Sequence, residues 1–468
     1  MTASNHYDTI SIGSGEAGKY VCWNRSSTMG VRTAVIEHKW LGGSCPNIAC
    51  LPSKNFIFSA DVVHQAQKYA ATGLLKASDI AVDMGAVLER KRGMVEGLIE
   101  MHQGVFEGSG AELVLGHGRL LGEKKVEVEL KDGGKRVLTA DNIIICTGSR
   151  ARIDDIPGLK EAKPLTHIEI LELDKVPKHL IILGGGYIGI EFAQAFRRFG
   201  AAVTIVERNA RILKNEDEDV SDALVEILKD EGVDFLTSAT VSNVSGTSGK
   251  SVTLAGTRND DPFKTTASHL LVASGRLPNV EDTGLESAGV ELTPTGHIKV
   301  DEYLQTSVPG IFAVGDCAGS PHFTHIGFDD FRIVRDFLLN KQPLRSTTKR
   351  QVPYTLYTNP ELAHIGLSEA AARKAGVQYR LARLPMAAFL RTRTMDATQG
   401  FAKVLVSASD DRILGFTALG PRSGEMLPVV QLAMSAGLPY TSIADLIITH
   451  PTLNEGLVSL FGSVAART

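Results

Sequence analysis

The chain has 468 residues, 43% of them hydrophobic and 22% charged, with a formal net charge of −4. That length suits about three domains of roughly 100–200 residues each, and the charge balance lacks the basic excess of a nucleic-acid-binding surface. Five cysteines are too few for a disulfide-stapled secreted scaffold, which leaves 46 glycines as the one oddity of composition.

Tyr7-Asp-Thr-Ile-Ser-Ile reads as a first strand rather than a basic-then-apolar export signal, so a cytoplasmic protein is expected. The strand runs into Gly13-Ser-Gly15-Glu-Ala-Gly18. A helical segment from Lys19 to Met29 follows, and a second strand from Arg32 ends on Glu37. This is the dinucleotide fingerprint in its full strand–turn–helix–strand context. Gly13 permits the tight turn, Gly15 lets backbone N–H groups approach a pyrophosphate, and Gly18 allows close helix–strand packing. The helix N-terminus offers partial positive charge to phosphates, and Glu37 can accept from a ribose diol.

Leu41-Gly-Gly-Ser-Cys45-Pro-Asn-Ile-Ala-Cys50-Leu-Pro-Ser-Lys54 then places two cysteines with four residues between them. In a regular helix their Cα atoms would stand roughly 8–9 Å apart, from a 1.5 Å rise and a 2.3 Å radius. A disulfide needs under about 7 Å. The segment must therefore start irregularly, and Pro46 and Pro52 are suitable breakers near a helix start. A helix N-terminus also lowers a thiol's pKa and yields the attacking thiolate. Metal ligation would ask for a further Cys or His pair at ligand spacing, which the chain lacks, so no metal site is expected. Two unrelated buried thiols are the bland alternative. Cys22 in the first helix, Cys146 in a strand and Cys317 past a glycine turn read as packing residues.

Residues 55–71 and 84–106 read as helices. Lys125-Val-Glu-Val-Glu-Leu130, the turn Asp132-Gly-Gly and the short run Arg136-Val-Leu-Thr139 suggest a small antiparallel insertion before a strand from Asn142 to Cys146. The fingerprint then recurs: Leu180-Ile-Ile-Leu-Gly184-Gly-Gly186-Tyr187-Ile-Gly189 opens a helical run to Phe199, and a strand from Ala202 ends on Glu207. The apolar stretch 180–196 is interrupted by Gly184, Gly185, Gly186, Gly189 and Glu191, so no membrane span is expected. Two dinucleotide sites in one chain suggest electron transfer between them. Glu207 favours an unphosphorylated ribose and hence NADH, while Arg208 and Arg211 lie close enough in sequence to serve a 2′-phosphate instead. Glu191 sits on an apolar helix where an inward carboxylate needs a cationic partner, and Lys54 is the natural one. Asp316 could be an Asx turn, Tyr187 could simply pack, and Arg276 could be a surface residue. After Arg350 the pattern changes to short strands, including residues 403–407 and 413–419 with helices between, as in a separate association domain. Near its end, His450 precedes Pro451, and Glu455 lies close enough to fix the imidazole tautomer.

Taken in order, the first fingerprint, the cysteine segment and Ile143-Ile-Ile-Cys-Thr147-Gly148-Ser are followed by the second fingerprint and Ser274-Gly275-Arg276-Leu-Pro-Asn279. Ala313-Val-Gly315-Asp316-Cys and His450-Pro-Thr-Leu-Asn-Glu455 complete the set. In these motifs the chain resembles, over essentially its whole length, the class I pyridine nucleotide–disulfide oxidoreductases. This is the flavoprotein family of lipoamide dehydrogenase, glutathione reductase and mercuric reductase. The wording from Val352 onward looks closest to mercuric-reductase-like members, yet the chain ends Phe461-Gly-Ser-Val-Ala-Ala-Arg-Thr468 without the cysteine pair of mercuric reductase proper.

The resemblance implies an α/β fold with two Rossmann-like dinucleotide-binding domains plus a C-terminal α+β dimerisation domain. The divisions expected are 1–150 and 276–349 for FAD, 151–275 for NAD(P) and 350–468 for the interface. It implies FAD on Gly13, Gly15, Gly18, Glu37, Gly43, Ser44, Lys54, Thr147, Gly148, Asp316 and Thr324, with Thr324-His325 opening a helix from Ile326 to Leu339 toward the ring. It implies a nicotinamide nucleotide, NADH favoured over NADPH, on Gly184, Gly186, Tyr187, Gly189, Glu207 and Gly275, with Tyr187 gating its pocket. Lys54 and Glu191 would pair beside the flavin, Cys50 would face it, and Cys45 would exchange with substrate. His450, oriented by Glu455, would act across a homodimer on the other subunit's thiol. The expected reaction carries electrons from NAD(P)H through FAD to a Cys45–Cys50 disulfide and on to a small disulfide such as lipoamide. Reduction of a metal ion or quinone, or a flavoprotein that does not use the dithiol, are the alternatives.

Overall fold

The computed structural model describes residues 5–77 and 80–467; Thr468, the end of the cysteine-free tail, lies outside them. Strand β1 (His6–Ile12), helix α1 (Glu16–Met29) and strand β2 (Thr33–Glu37) form the first β–α–β unit, its strands parallel from Thr9 opposite Thr33 to Ile12 opposite Ile36. A short helix α2 (Ser44–Asn47) and two long ones, α3 (Cys50–Ala71) and α4 (Met84–Ser109), lead to a meander of β3 (Glu112–Gly122), β4 (Lys125–Leu130) and β5 (Lys135–Ile145). The expectation of a short run and a separate strand before Cys146 is corrected here. β5 is continuous, because its first half pairs antiparallel with β4 and its second half parallel with β1. Ala140 and Asp141, between the two expected pieces, belong to the strand, Asp141 being exposed, and Cys146 falls just past the strand end.

After β6 (Ser149–Ala151) the β–α–β unit recurs as β7 (His179–Leu183), α5 (Tyr187–Arg198) and β8 (Ala202–Val206). Helix α6 (Glu218–Asp230) leads to β9 (Val233–Leu236). An antiparallel sheet of β10 (Ala239–Thr247), β11 (Ser251–Arg258) and β12 (Asp261–Ala267) precedes β13 (His269–Val272). The second parallel sheet has the order β13-β7-β8-β9. The chain returns through β14 (Arg276–Pro278), which pairs antiparallel with β6, so the outward and return crossings lie side by side. β15 (Ile311–Ala313) then completes the first sheet beside β5. Helix α7 (Thr324–Leu338) starts at Thr324 itself, two residues ahead of the expected Ile326, because Phe323 is the extended residue before it.

The last region holds β16 (Tyr354–Leu356), β17 (Glu361–Gly366), α8 (Glu369–Lys374), β18 (Tyr379–Pro385) and α9 (Leu390–Thr394). It ends with β19 (Phe401–Ser407), β20 (Ile413–Gly420), α10 (Ser423–Ser435), α11 (Thr441–Ala444) and α12 (Glu455–Gly462). Its antiparallel sheet has the order β16-β17-β20-β19-β18. β19 and β20 form a hairpin, which corrects the expectation of helices between them: the turn at 408–412 suffices for an antiparallel pair, whereas only parallel strands demand a crossover.

Two packing features position the site. Phe56 of α3 meets Phe192, Phe196 and Phe199 around α5 at ring separations of 6.2, 5.2 and 5.1 Å, which locks the two helices face to face. Lys403, fully buried in β19, holds Asp217 at 2.8 Å, Asp219 at 2.7 Å and Glu369 at 3.0 Å, tying the second nucleotide unit to the C-terminal sheet. No helix among the described residues is long and apolar enough to cross a membrane.

Candidate active site

The cysteine segment is bent as its spacing demanded. Cys45 lies in α2, Ile48 and Ala49 leave helical geometry at φ −141° and −131°, and Cys50 is the first residue of α3. The break brings the Cys45 and Cys50 thiols into hydrogen-bond contact. Cys50 Sγ also lies 3.2 Å from Thr324 Oγ1 at the start of α7. The two thiols are made unequal. The hydrogen bond from Cys45, opposed by burial but aided by Thr324 and the nearby Lys54 charge, brings the Cys50 thiol down to about 6. Holding that proton and lying partly buried, with Glu16 in range, Cys45 moves up. One sulfur of the pair thus carries the charge while its neighbour keeps the proton. Cys22, Cys146 and Cys317 are buried, as packing residues should be.

One helical turn along α3, Lys54 Nζ binds Glu191 Oε2 at 2.8 Å, the pair set by the aromatic packing of α3 on α5. Glu191 Oε1 accepts from the Tyr357 backbone N–H at 2.9 Å, and the ammonium stands 4.9 Å from the Tyr357 ring centre. Burial works against the Lys54 charge, yet Glu191 holds it above the ordinary lysine range.

Both glycine turns have the same backbone geometry. Gly13 (φ 100°) and Gly184 (φ 116°) adopt the left-handed backbone. A Cβ on Gly18 would stand 2.2 Å from Ser11 Oγ, and one on Gly189 2.2 Å from the Gly184 carbonyl, so both are helix–strand packing positions. Glu37 Oε2 accepts from Ser14 N at 3.0 Å, and Glu207 Oε2 from Gly185 N at 2.7 Å, so each terminal carboxylate is aimed at its own turn.

A continuous cavity of about 2940 Å³ joins these parts. Its walls include Gly13, Gly15, Glu37, Gly43, Ser44, Cys45, Cys50, Lys54, Thr147, Gly148, Asp316 and Thr324, together with Gly186, Tyr187, Glu191 and Gly275. The residues fit an elongated dinucleotide with a polar ring. Gly43, at φ 85°, packs so closely on Gly15 that a Cβ there would come within 2.7 Å of the Gly15 Cα, which roofs the phosphate turn. His167 Nε2 lines the cavity buried and without a hydrogen-bond partner, a polar group that a heterocycle can satisfy. Burial, with the Arg276 charge adding, brings that imidazole down to about 4, so it is neutral.

Gly18, Gly184, Gly189 and Glu207 stand behind the cavity wall. His450 and Glu455 lie apart from it as an exposed pair, Nδ1 to Oε1 2.9 Å. Arg276 is no surface residue: it donates to Ser149 Oγ at 2.8 Å and the Ser149 carbonyl at 2.9 Å, and stands 3.7 Å from Asp316. Sequence reasoning missed His167, which no motif marks, and Glu216, hidden in the acidic run 216–219. Arg211, one candidate for a 2′-phosphate, is engaged by Glu218 and Asp222.

Comparison with known proteins agrees with this geometry. The pyridine nucleotide-disulphide oxidoreductase family model matches residues 7–330, and the dimerisation-domain model of that family matches residues 352–461. A probable pyridine nucleotide-disulfide oxidoreductase of Escherichia coli, RclA, is 33% identical over 98% of this chain and 100% of its own length. A dihydrolipoyl dehydrogenase of Mycobacterium tuberculosis is 33% identical, covering 97% of each chain. The solved Cu(II) complex of the E. coli RclA, described as an HOCl-induced flavoprotein disulfide reductase, superimposes with a TM-score of 0.89 at 33% identity over 98% of this chain and 100% of that one. Two nucleotide units, a bent dithiol segment and an antiparallel C-terminal sheet thus recur together over full length, and this chain belongs to the class I pyridine nucleotide–disulfide oxidoreductases, FAD-dependent enzymes with a dimerisation domain.

Proposed function

We propose that the enzyme reduces a small disulfide with electrons from NADH, using Cys45 and Cys50 as the dithiol. The observation that carries this reading is the unequal thiol pair, held between Thr324 and the Lys54–Glu191 ion pair in the wall of the cavity.

Bound FAD supplies the two-electron relay between nicotinamide and sulfur. The Gly13–Gly18 turn would hold its pyrophosphate, Glu37 its ribose and Asp316 its ribityl chain, while Lys54 and His167 would face the ring. The second turn, Gly184 to Gly189, would hold the nicotinamide nucleotide, with Tyr187 as the gate. Glu207 and the engaged Arg211 favour NADH. Cys50 Sγ, held as thiolate by Thr324 and Lys54, would close the intrachain disulfide. Cys45, giving its proton to His450 of the partner subunit, would attack the substrate disulfide and release one thiol, which takes that proton back. Attack of Cys50 on the mixed disulfide would release the second, so one dithiol becomes one disulfide as one substrate disulfide becomes two thiols. His450 of the partner subunit would hold and return the proton of the leaving thiol in a homodimer.

The test is anaerobic reduction with NADH followed by thiol titration. The titre should rise by the Cys45 and Cys50 pair in the wild type, and neither Cys45→Ser nor Cys50→Ser should gain it. An unchanged titre in the wild type would overturn the reading. A second reading, reduction of a metal ion with the dithiol as electron source, is favoured by the Cu(II) complex of the E. coli relative. It predicts that one dithiol turns two Cu(II) into two Cu(I), detected with a Cu(I) chelator during NADH turnover.

A further inference from the structure

The reading of Tyr187 as the nicotinamide gate leaves open what holds that gate. Glu216, buried just ahead of α6, accepts two phenolic hydrogen bonds on the same oxygen: Tyr187 O–H donates to Oε1 at 2.9 Å, and Tyr354 O–H at 2.6 Å. Tyr354 opens β16 in the C-terminal sheet, and its ring stacks on Phe323, ahead of α7, at 5.7 Å and an interplanar angle of 3°. The rings of Tyr187 and Tyr354 stand 5.6 Å apart, and both line the cavity. One carboxylate oxygen thus ties the first residue of α5 to a tyrosine anchored by two other parts of the chain.

Hydrogen bonds to a carboxylate are among the stronger ones, and a buried acceptor shared by two phenols fixes both. We propose that Glu216 is a positioning residue that latches Tyr187 over the nicotinamide pocket, with Tyr354 as the second hasp, so that a nicotinamide must break this bond to enter. The latch rests on the proposed gating role of Tyr187. A protein whose receptive form is only a small fraction of the whole binds its ligand more weakly by that fraction. Loosening the latch therefore tightens nicotinamide binding, while ligands that never enter the pocket are unaffected.

The test uses the full-length, FAD-loaded, oxidised protein, to which NAD+ binds without turnover, and titrates NAD+ and ADP-ribose by calorimetry. Glu216→Ala should bind NAD+ about tenfold more tightly, equivalent to ~1.4 kcal/mol. Tyr354→Phe, which removes one hydroxyl and also reports should Glu216→Ala not fold, should bind NAD+ about threefold more tightly. Glu216→Gln keeps an oxygen acceptor for both phenols but loses the charge, and should fall between the wild type and Glu216→Ala. ADP-ribose, lacking the nicotinamide, should bind all forms alike. Unchanged or weaker NAD+ binding in Glu216→Ala or Tyr354→Phe, or an equal shift for ADP-ribose, would overturn the latch and leave the nucleotide site standing. A wild type that binds neither probe would overturn the nucleotide reading and the latch with it.

Discussion

The first nucleotide unit is closed by its own surroundings. Glu37 accepts from Ser14 N and Oγ on one oxygen and from the N–H groups of Lys39 and Trp40 on the other. The loop that carries Cys45 lies across the turn, with Gly43 on Gly15, and a Cβ on Gly15 would stand 2.8 Å from Cys146 Sγ. The second unit repeats the turn and the carboxylate, yet a Cβ on its middle glycine, Gly186, would meet nothing within 4 Å. Next to that glycine stands the side chain of Tyr187, which donates a hydrogen bond to Glu216. One motif therefore occurs in two settings, one roofed by backbone and one with open space at its middle glycine, and under the proposed function these suit a resident cofactor and an exchanging nucleotide.

Removing the Cys50 sulfur would separate disulfide chemistry from nucleotide binding most sharply. Cys50→Ser should lower disulfide turnover by about 10³-fold or more, while its NAD+ affinity by calorimetry stays at the wild-type level. Lys54→Met strands Glu191 between the units and should destabilise the fold by about 3 kcal/mol in denaturant unfolding. The glycines test the enclosure itself. Gly13→Ala forces a Cβ to 2.3 Å from the Cys146 carbonyl at positive φ and should cost about 2 kcal/mol of stability, whereas Gly186→Ala should stay within about 0.5 kcal/mol. Under the proposed NADH reading, Glu207→Ala should raise kcat/KM with NADPH relative to NADH by about tenfold, because a carboxylate that would repel a 2′-phosphate is gone.

A smaller effect is set by pH. In the reduced protein the Cys50 thiol lies at about 6, below its ordinary value of 9.0. A depressed value stabilises the fold fully above pH 9 and loses that contribution as pH falls through 6. Thiolate absorbance of the reduced protein should therefore titrate near pH 6, and the Lys54→Met step should lie higher. A step near 9 in the wild type would remove the electrostatic distinction between the two sulfurs.

Much of this was legible because it is local. Turn glycines, terminal carboxylates and the bend between Cys45 and Cys50 follow from spacing within a few residues, and Glu191 on an apolar helix announces its need for Lys54. What could not be read was written in tertiary neighbours. Arg276 looks free until β14 pairs with β6 and sets it beside Ser149 and Asp316. Lys403 stands in an otherwise apolar strand, and only packing brings three carboxylates around it. His167 carries no motif, and Glu216 passes for a solvated acid until both phenols reach it. The helix starts at Cys50 and Thr324 were half legible: the prolines signalled the first, but only the extended Phe323 sets the second.

Those two helix starts share a neighbour, since the first residue of α3 and the first of α7 meet at the Cys50 sulfur. Each brings the electropositive end of a peptide dipole array to one point. A negative charge on that sulfur is therefore stabilised from two directions at once, by two elements far apart in the chain.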